Sequence, residues 1–320
     1  MYALNEWDPC KKIIVGVADH ARIPKMDESL QTVNYAGSDD APEPGEYPTP
    51  VIEQANEDLE TFCDFLKGEG VEVLRPVREH TDYYNYCPRD IVFAHKDVAL
   101  ATPMPLQARF NNYTSVQHHF DNLQTVDRVY NINNYNTECL NNPDVLALHE
   151  HEPLFDAANI LRANDDLLYL VSNSGNRRGA EFLQEIVGSD TRVHLLENVY
   201  SYMHIDSTIA FLREGLMLCN PSRIKSVEQL PKAFRNWDII WAPEPVDQGH
   251  YPGYCASSVW TWNVNLFSVS PELVVLEEHQ HNLRQLLEQK GIDCAMLPIR
   301  HARTLGGCFH CVTLDTERQC

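Results

Sequence analysis

An α/β fold made of five ββαβ units in a circular array is what this 320-residue sequence predicts. Three observations carry that expectation. A helix, a turn and a short apolar strand recur in that order along the chain. The loose copies lie about 45 to 70 residues apart, the habit of units that cannot bury a helix-facing sheet alone and pack on their neighbours instead. No linker divides the chain, so residues 1–320 are expected to form a single domain.

The first strand is expected at 12–17, where Ile13, Ile14, Val15 and Val17 make an apolar run. An amphipathic helix over 51–66 follows, with Val51, Ile52, Ala55, Leu59, Phe62 and Leu66 on one face. Gly68 and Gly70 stop it, and a strand at 71–76 comes next. Helix then strand is expected again at 181–188 into 192–196, at 226–237 into 238–242, and at 282–291 into 293–298. A fainter copy runs from 118–126 into 128–130. Strand segments between these units are expected at 98–103, 167–171, 208–212 with 216–219, and 259–269 with 273–276. The Pro-rich, acidic stretch 38–50 is expected to be a surface loop.

A formal net charge of -21 argues against nucleic acid and anionic membrane surfaces as partners and is compatible with a small cationic substrate. No basic segment followed by an apolar core opens the chain, and no apolar run of about 18 residues occurs, so a cytoplasmic protein is expected. The 10 cysteines are scattered, which fits reduced thiols in a large core rather than a disulfide framework. The sequon at Asn112 then has no meaning.

The stretch from Arg303 to Asp315 presents a thiol, Cys311, just after the turn residues Gly306 and Gly307, with a β-branched run leaving it. Alone, Cys311 reads equally as a small buried hydrophobe. Three further stretches carry acids: Cys87-Pro-Arg-Asp90, the 154–159 segment around Asp156, and the 203–208 segment with His204 and Asp206. His204 and Asp206 are two apart, so a straight strand would turn both to one face. A thiol, several carboxylates and a histidine are together the residue types of nucleophilic and acid–base chemistry.

In this order the four motifs, with the flanking 5–9, 166–171 and 218–223 segments, resemble the amidinotransferase family over nearly the whole chain. The likeness leans toward the enzymes acting on aminocyclitol phosphates, with the arginine:glycine enzymes slightly further off. It implies the five-bladed pseudo-symmetric α/β propeller of the pentein superfamily, with its site on the axis. It implies L-arginine as amidino donor, a primary amine as acceptor and L-ornithine as product. Cys311 would be the nucleophile, His204 the general acid and base, and Asp156 the group that orients His204. Asp90 and Asp206 would accept from the guanidinium, and Arg223 and Ser258 would hold the substrate carboxylate. Met203 resembles the arginine:glycine branch, whereas the surroundings of Asp156 and Thr313 look like the aminocyclitol branch. Ser201 and Tyr202 would shape the acceptor pocket. Dimers are common in the family, so a homodimer is an open expectation.

Two other readings stand beside it: a pentein hydrolase in which water takes up the same intermediate, and an arginine-binding homologue without turnover. Cys308 stands where the family usually has glycine, and is either a tolerated replacement or a redox partner of Cys311. The pair Cys308 and Cys311 lacks a second ligand pair for zinc, and the histidines at 149, 151, 279 and 281 sit in polar segments. Asn173-Ser-Gly175 with Gly179 lacks dinucleotide-loop spacing. No cofactor and no metal are expected.

Overall fold

The computed structural model describes residues 2–33, 42–77, 83–126, 134–140, 142 and 144–319. Five three-stranded sheets share one pattern, an antiparallel pair followed by a third strand parallel to the middle one. In chain order the first strands of four sheets are Val92–His95, Ile160–Ala163, Ile209–Arg213 and Phe267–Ser270. Each pairs antiparallel with a middle strand: Val98–Ala101, Asp166–Leu170, Leu216–Cys219 and Leu273–Glu277. The outer strands are Leu123–Gln124, Arg192–Leu196, Asp238–Trp241 and Asp293–Leu297. In the remaining sheet Thr313–Arg318 pairs with Cys10–Val15, which runs parallel to Glu72–Leu74. The last strand thereby closes the ring. Five such sheets are the circular α/β array that the repeat predicts, and they fit the propeller form that the resemblance implies.

The first strands sit together around the axis, joined by side chains that reach from one sheet to the next. Ser268 Oγ donates to the carbonyl of Phe211, Arg318 Nη1 to that of Ser268, and Arg162 Nη1 to that of Ala94. Arg162 also pairs with Glu6 at 2.7 Å and with Asp315 at 2.6 Å. Arg89 Nη2 lies 2.7 Å from Asp315 as well, an ion pair out of line for a hydrogen bond. Burial would raise the Asp315 carboxyl, but the guanidinium groups of Arg162, Arg318 and Arg89 outweigh it and hold it low. Buried charges survive only when paired in this way.

Helix Thr49–Gly68 spans the crossover of the closing sheet. Pro50 suits its first turn, and Val51, Ala55, Leu59, Phe62, Cys63 and Leu66 form its buried face. Phe62 packs edge-on against Phe309 with ring centroids 4.9 Å apart, so the helix braces the loop that carries Cys311. Helices Arg177–Val187 and His281–Gln289 play the same crossover part in two other sheets.

The structure departs from expectation in several places. The helix expected over 226–237 is two short 3-10 turns, Val227–Gln229 and Lys232–Phe234, because Pro231 lacks the N–H that a continuous helix needs there. The helix expected over 118–126 is likewise a 3-10 turn at Gln117–His119, then strand Leu123–Gln124. The strand expected at 128–130 lies outside the described residues, as does the 38–41 part of the loop. The rest of that loop holds strand Gly45–Glu46, paired with Arg22–Ile23. The run 259–269 is a short helix, Thr261–Val264, before its strand begins at Phe267. Strands Val92–His95 and Ile160–Ala163 carry no alternation because both faces are buried, and they escaped the pattern. Among the described residues no helix is long and apolar enough to cross a membrane.

Candidate active site

Cys311 follows helix Ala302–Leu305, which ends at Gly306 in the left-handed region with φ +94°. A Cβ at Gly307 would stand 2.2 Å from the Cys311 Cβ, so only glycine lets the turn close over the thiol. Cys311 Sγ donates to Asp206 Oδ2 over 3.0 Å, and Asn265 Nδ2 lies 3.0 Å from the same sulfur. A hydrogen bond with the Cys87 side chain, then burial and the negative charge of Asp206, push the Cys311 thiol well above its ordinary range.

His204 occupies a turn at φ +55°, not a straight strand. Its N–H donates to Asn159 Oδ1 at 3.1 Å and to Ser174 Oγ at 3.3 Å, which holds a backbone that costs roughly 1–3 kcal/mol. The turn sends His204 and Asp206 to different partners. His204 Nε2 meets Asp156 Oδ2 at 2.7 Å, and its Nδ1 lies 3.8 Å from Asp90 Oδ1. Burial alone would lower its pKa; the carboxylates of Asp90 and Asp156 win and raise it to about 9. Asp206 Oδ2 accepts from His310 Nδ1 at 3.0 Å as well as from the thiol. Burial would raise Asp206, yet those contacts and His204 bring it down to about 2.

Asp90 is not wholly free for a substrate, because its Oδ2 is taken by Arg109. Arg109 in turn donates to the Cys87 carbonyl at 2.7 Å. Asp90 Oδ1 is buried with no hydrogen-bond partner, as is Asp156 Oδ1. Two such acceptors beside one histidine leave the site short of donors, a need that a guanidinium meets.

His204, Asp206 and Cys311 line one cavity of about 330 Å³ together with Met203, Tyr200, Tyr202 and Ser258. Asp156 and Asp90 adjoin it through His204. Arg223 lies beside it, with Nη1 bonded to Ser207 Oγ and Thr208 Oγ1, each at 2.7 Å, and Nη2 to Ser258 Oγ at 3.2 Å. The Tyr200 ring covers the guanidinium at 3.4 Å. No described carboxylate pairs with Arg223, and burial lowers its pKa.

Three residues at the site escaped sequence reasoning: Asn265, Arg109 and His310. His310 adjoins Cys311 and was visible in the motif; the others carry no local signal. Cys308 is buried, its N–H bonded to Asn265 Oδ1 at 3.0 Å. His279 pairs with Glu277 at 2.6 Å, and His149 packs on His151. Among the described residues no group of three or more His, Cys, Asp or Glu side chains is placed to hold a metal.

No family profile matches the chain. It is similar to inosamine-phosphate amidinotransferase 1 of Streptomyces griseus, 39% identical over 98% of this chain and 96% of that protein. The solved structure of that Streptomyces griseus enzyme overlays with a TM-score of 0.93, covering 99% of this chain and 96% of the other. The L-arginine:L-lysine amidinotransferase of Pseudomonas savastanoi pv. phaseolicola is 30% identical over 98% of this chain and 93% of its own length. A Pseudomonas aeruginosa DDAH shares the fold with a TM-score of 0.60 at 16% identity, covering 96% of this chain and 99% of that one.

Proposed function

The chain belongs to the amidinotransferase family, and from that premise we propose that it moves the amidino group of L-arginine to a primary amine through a covalent Cys311 intermediate, releasing L-ornithine. The observation that carries this reading is a thiol and a doubly carboxylate-flanked histidine facing one cavity. The guanidinium lies against Asp206 and the free oxygen of Asp90, where each charge-assisted hydrogen bond contributes roughly 1.5–3 kcal/mol. Its positive charge also offsets the repulsion that keeps the thiol protonated, so the thiol gives up its proton to solvent as the donor binds and the thiolate forms.

The Cys311 thiolate attacks the guanidinium carbon and a C–S bond forms. Imidazolium His204 gives its proton to the substrate nitrogen as the C–N bond breaks, and ornithine departs. The acceptor amine then attacks the amidino carbon and loses a proton to His204, and the C–S bond breaks to return the thiolate. Asp156 holds the imidazole in position through both halves. Arg223 and Ser258 bind the carboxylate of arginine, with Tyr200 swinging or sliding aside as it enters. The acceptor enters past Tyr202 and Met203, which line the cavity.

Incubation with arginine alone tests the reading. Mass spectrometry should show one amidino group on the Cys311 peptide and one equivalent of ornithine, with no sustained release of urea, ammonia or citrulline. An unmodified Cys311 in an enzyme that turns over with an acceptor present would refute it.

A further inference from the structure

The Asn265 side chain grips the thiol loop and the thiol at once. Its Oδ1 accepts from the backbone N–H groups of Cys308 at 3.0 Å and Cys311 at 3.1 Å. Its backbone carbonyl accepts from the N–H of His310 at 3.2 Å. Those two side-chain contacts settle which way the amide faces, because an NH₂ group in the oxygen's place would meet two N–H donors head on. Nδ2 is therefore turned to the Cys311 sulfur at 3.0 Å and to the Asp206 carbonyl at 3.4 Å. Asn265 is 1% exposed, directly follows helix Thr261–Val264, and has no room to turn over.

A neutral thiol is a weak hydrogen-bond acceptor and a thiolate a strong one. An N–H that cannot swing away from the sulfur therefore favours the charged form. We propose that Asn265 is a catalytic residue of this site, its amide N–H acting as a fixed donor that stabilises the Cys311 thiolate beside the buried Asp206 carboxylate. The thiolate exists twice in a turnover, before it attacks the donor and again when the acceptor expels it, so the same N–H serves both halves. The proposal rests on Cys311 being the nucleophile.

Asn265→Asp is the decisive variant. It keeps an oxygen acceptor for both backbone N–H groups and puts a second oxygen where the N–H faced the sulfur. Alkylation of Cys311 by iodoacetamide, followed on its own peptide at about pH 8, should slow by about 10-fold or more in a variant that unfolds cooperatively near the wild-type temperature. The pH dependence of kcat/KM should move upward with it, by about one unit or more. If the aspartate variant fails to fold, Asn265→Ala is read by the kcat/KM profile alone, which should still move upward and which a mere tie to the loop would leave in place. A tie that only holds the loop predicts something else: normal alkylation in Asn265→Asp and slowed alkylation in Asn265→Ala. That result, or rates within about 2-fold of wild type in both, overturns the proposal. Where the reagent does not reach Cys311 even in the wild type, the kcat/KM profile alone decides in the same way. Turnover surviving in Cys311→Ser would instead remove the nucleophile reading, a separate failure.

Discussion

The Cys311 sulfur and His310 Nδ1 converge on one oxygen of Asp206, each at 3.0 Å. The carboxylate proposed to hold a cationic substrate is thus also the acceptor that keeps the thiol a neutral donor.

Replacing Asp206 by asparagine should separate these two duties. Without the negative charge, Cys311 in the free enzyme should alkylate faster, by about 10-fold, because one cause of its raised pKa is gone. Turnover with arginine should nevertheless fall by about 100-fold or more, since the planar acceptor for the guanidinium is lost. Parallel alkylation and steady-state assays check both. Slower alkylation would contradict its part in keeping the thiol neutral.

Arg223→Gln should raise KM for arginine by about 10-fold to 100-fold and leave kcat within a few-fold, because a carboxylate contact remote from the reacting carbon is made equally in ground and transition states. Agmatine, which lacks the carboxylate, should be insensitive to the substitution. Equal losses for both compounds would place Arg223 in a purely structural part.

The His204 pKa of about 9 in the folded chain lies above its ordinary 6.5. The sign follows: its contribution, roughly 3 kcal/mol, is complete below about pH 6.5 and disappears as pH rises through about 9. Wild-type protein should therefore lose melting temperature between about pH 6 and 9.5, and His204→Gln should lose less over the same interval. Calorimetry at the two pH values reads the difference. An equal loss in both proteins would mean that other groups carry the pH dependence.

Peroxide should lower activity, and a dithiol should restore it. The Cys87 sulfur lies beside that of Cys311, since a Cβ at Gly307 would stand 2.9 Å from the Cys311 sulfur and 3.0 Å from the Cys87 sulfur. Non-reducing peptide mapping should accordingly find a Cys87–Cys311 link and not a Cys308–Cys311 one. Activity unchanged by peroxide would dismiss either form of the switch.

Much of this site was legible because its marks are local. Gly306, Gly307 and Cys311 lie within one turn, and His204, Asp156 and Asp90 each stand in a short motif of recognisable order. The ring of sheets was legible where Val51, Leu59 and Phe62 repeat at helical spacing. Asn265 and Arg109 were not, because each acts only through an approach between distant positions, 46 from Cys311 in the first case and 19 from Asp90 in the second. Strands Val92–His95 and Ile160–Ala163 were hidden by being buried on both sides. The 226–237 run looked helical until Pro231 is weighed against an unbroken turn.

The closing sheet joins Thr313–Arg318 to Cys10–Val15, and Cys311 precedes that join by two positions. The surroundings of that sulfur are therefore complete only when the circle has shut, and a partly folded molecule carries a cysteine of ordinary acidity.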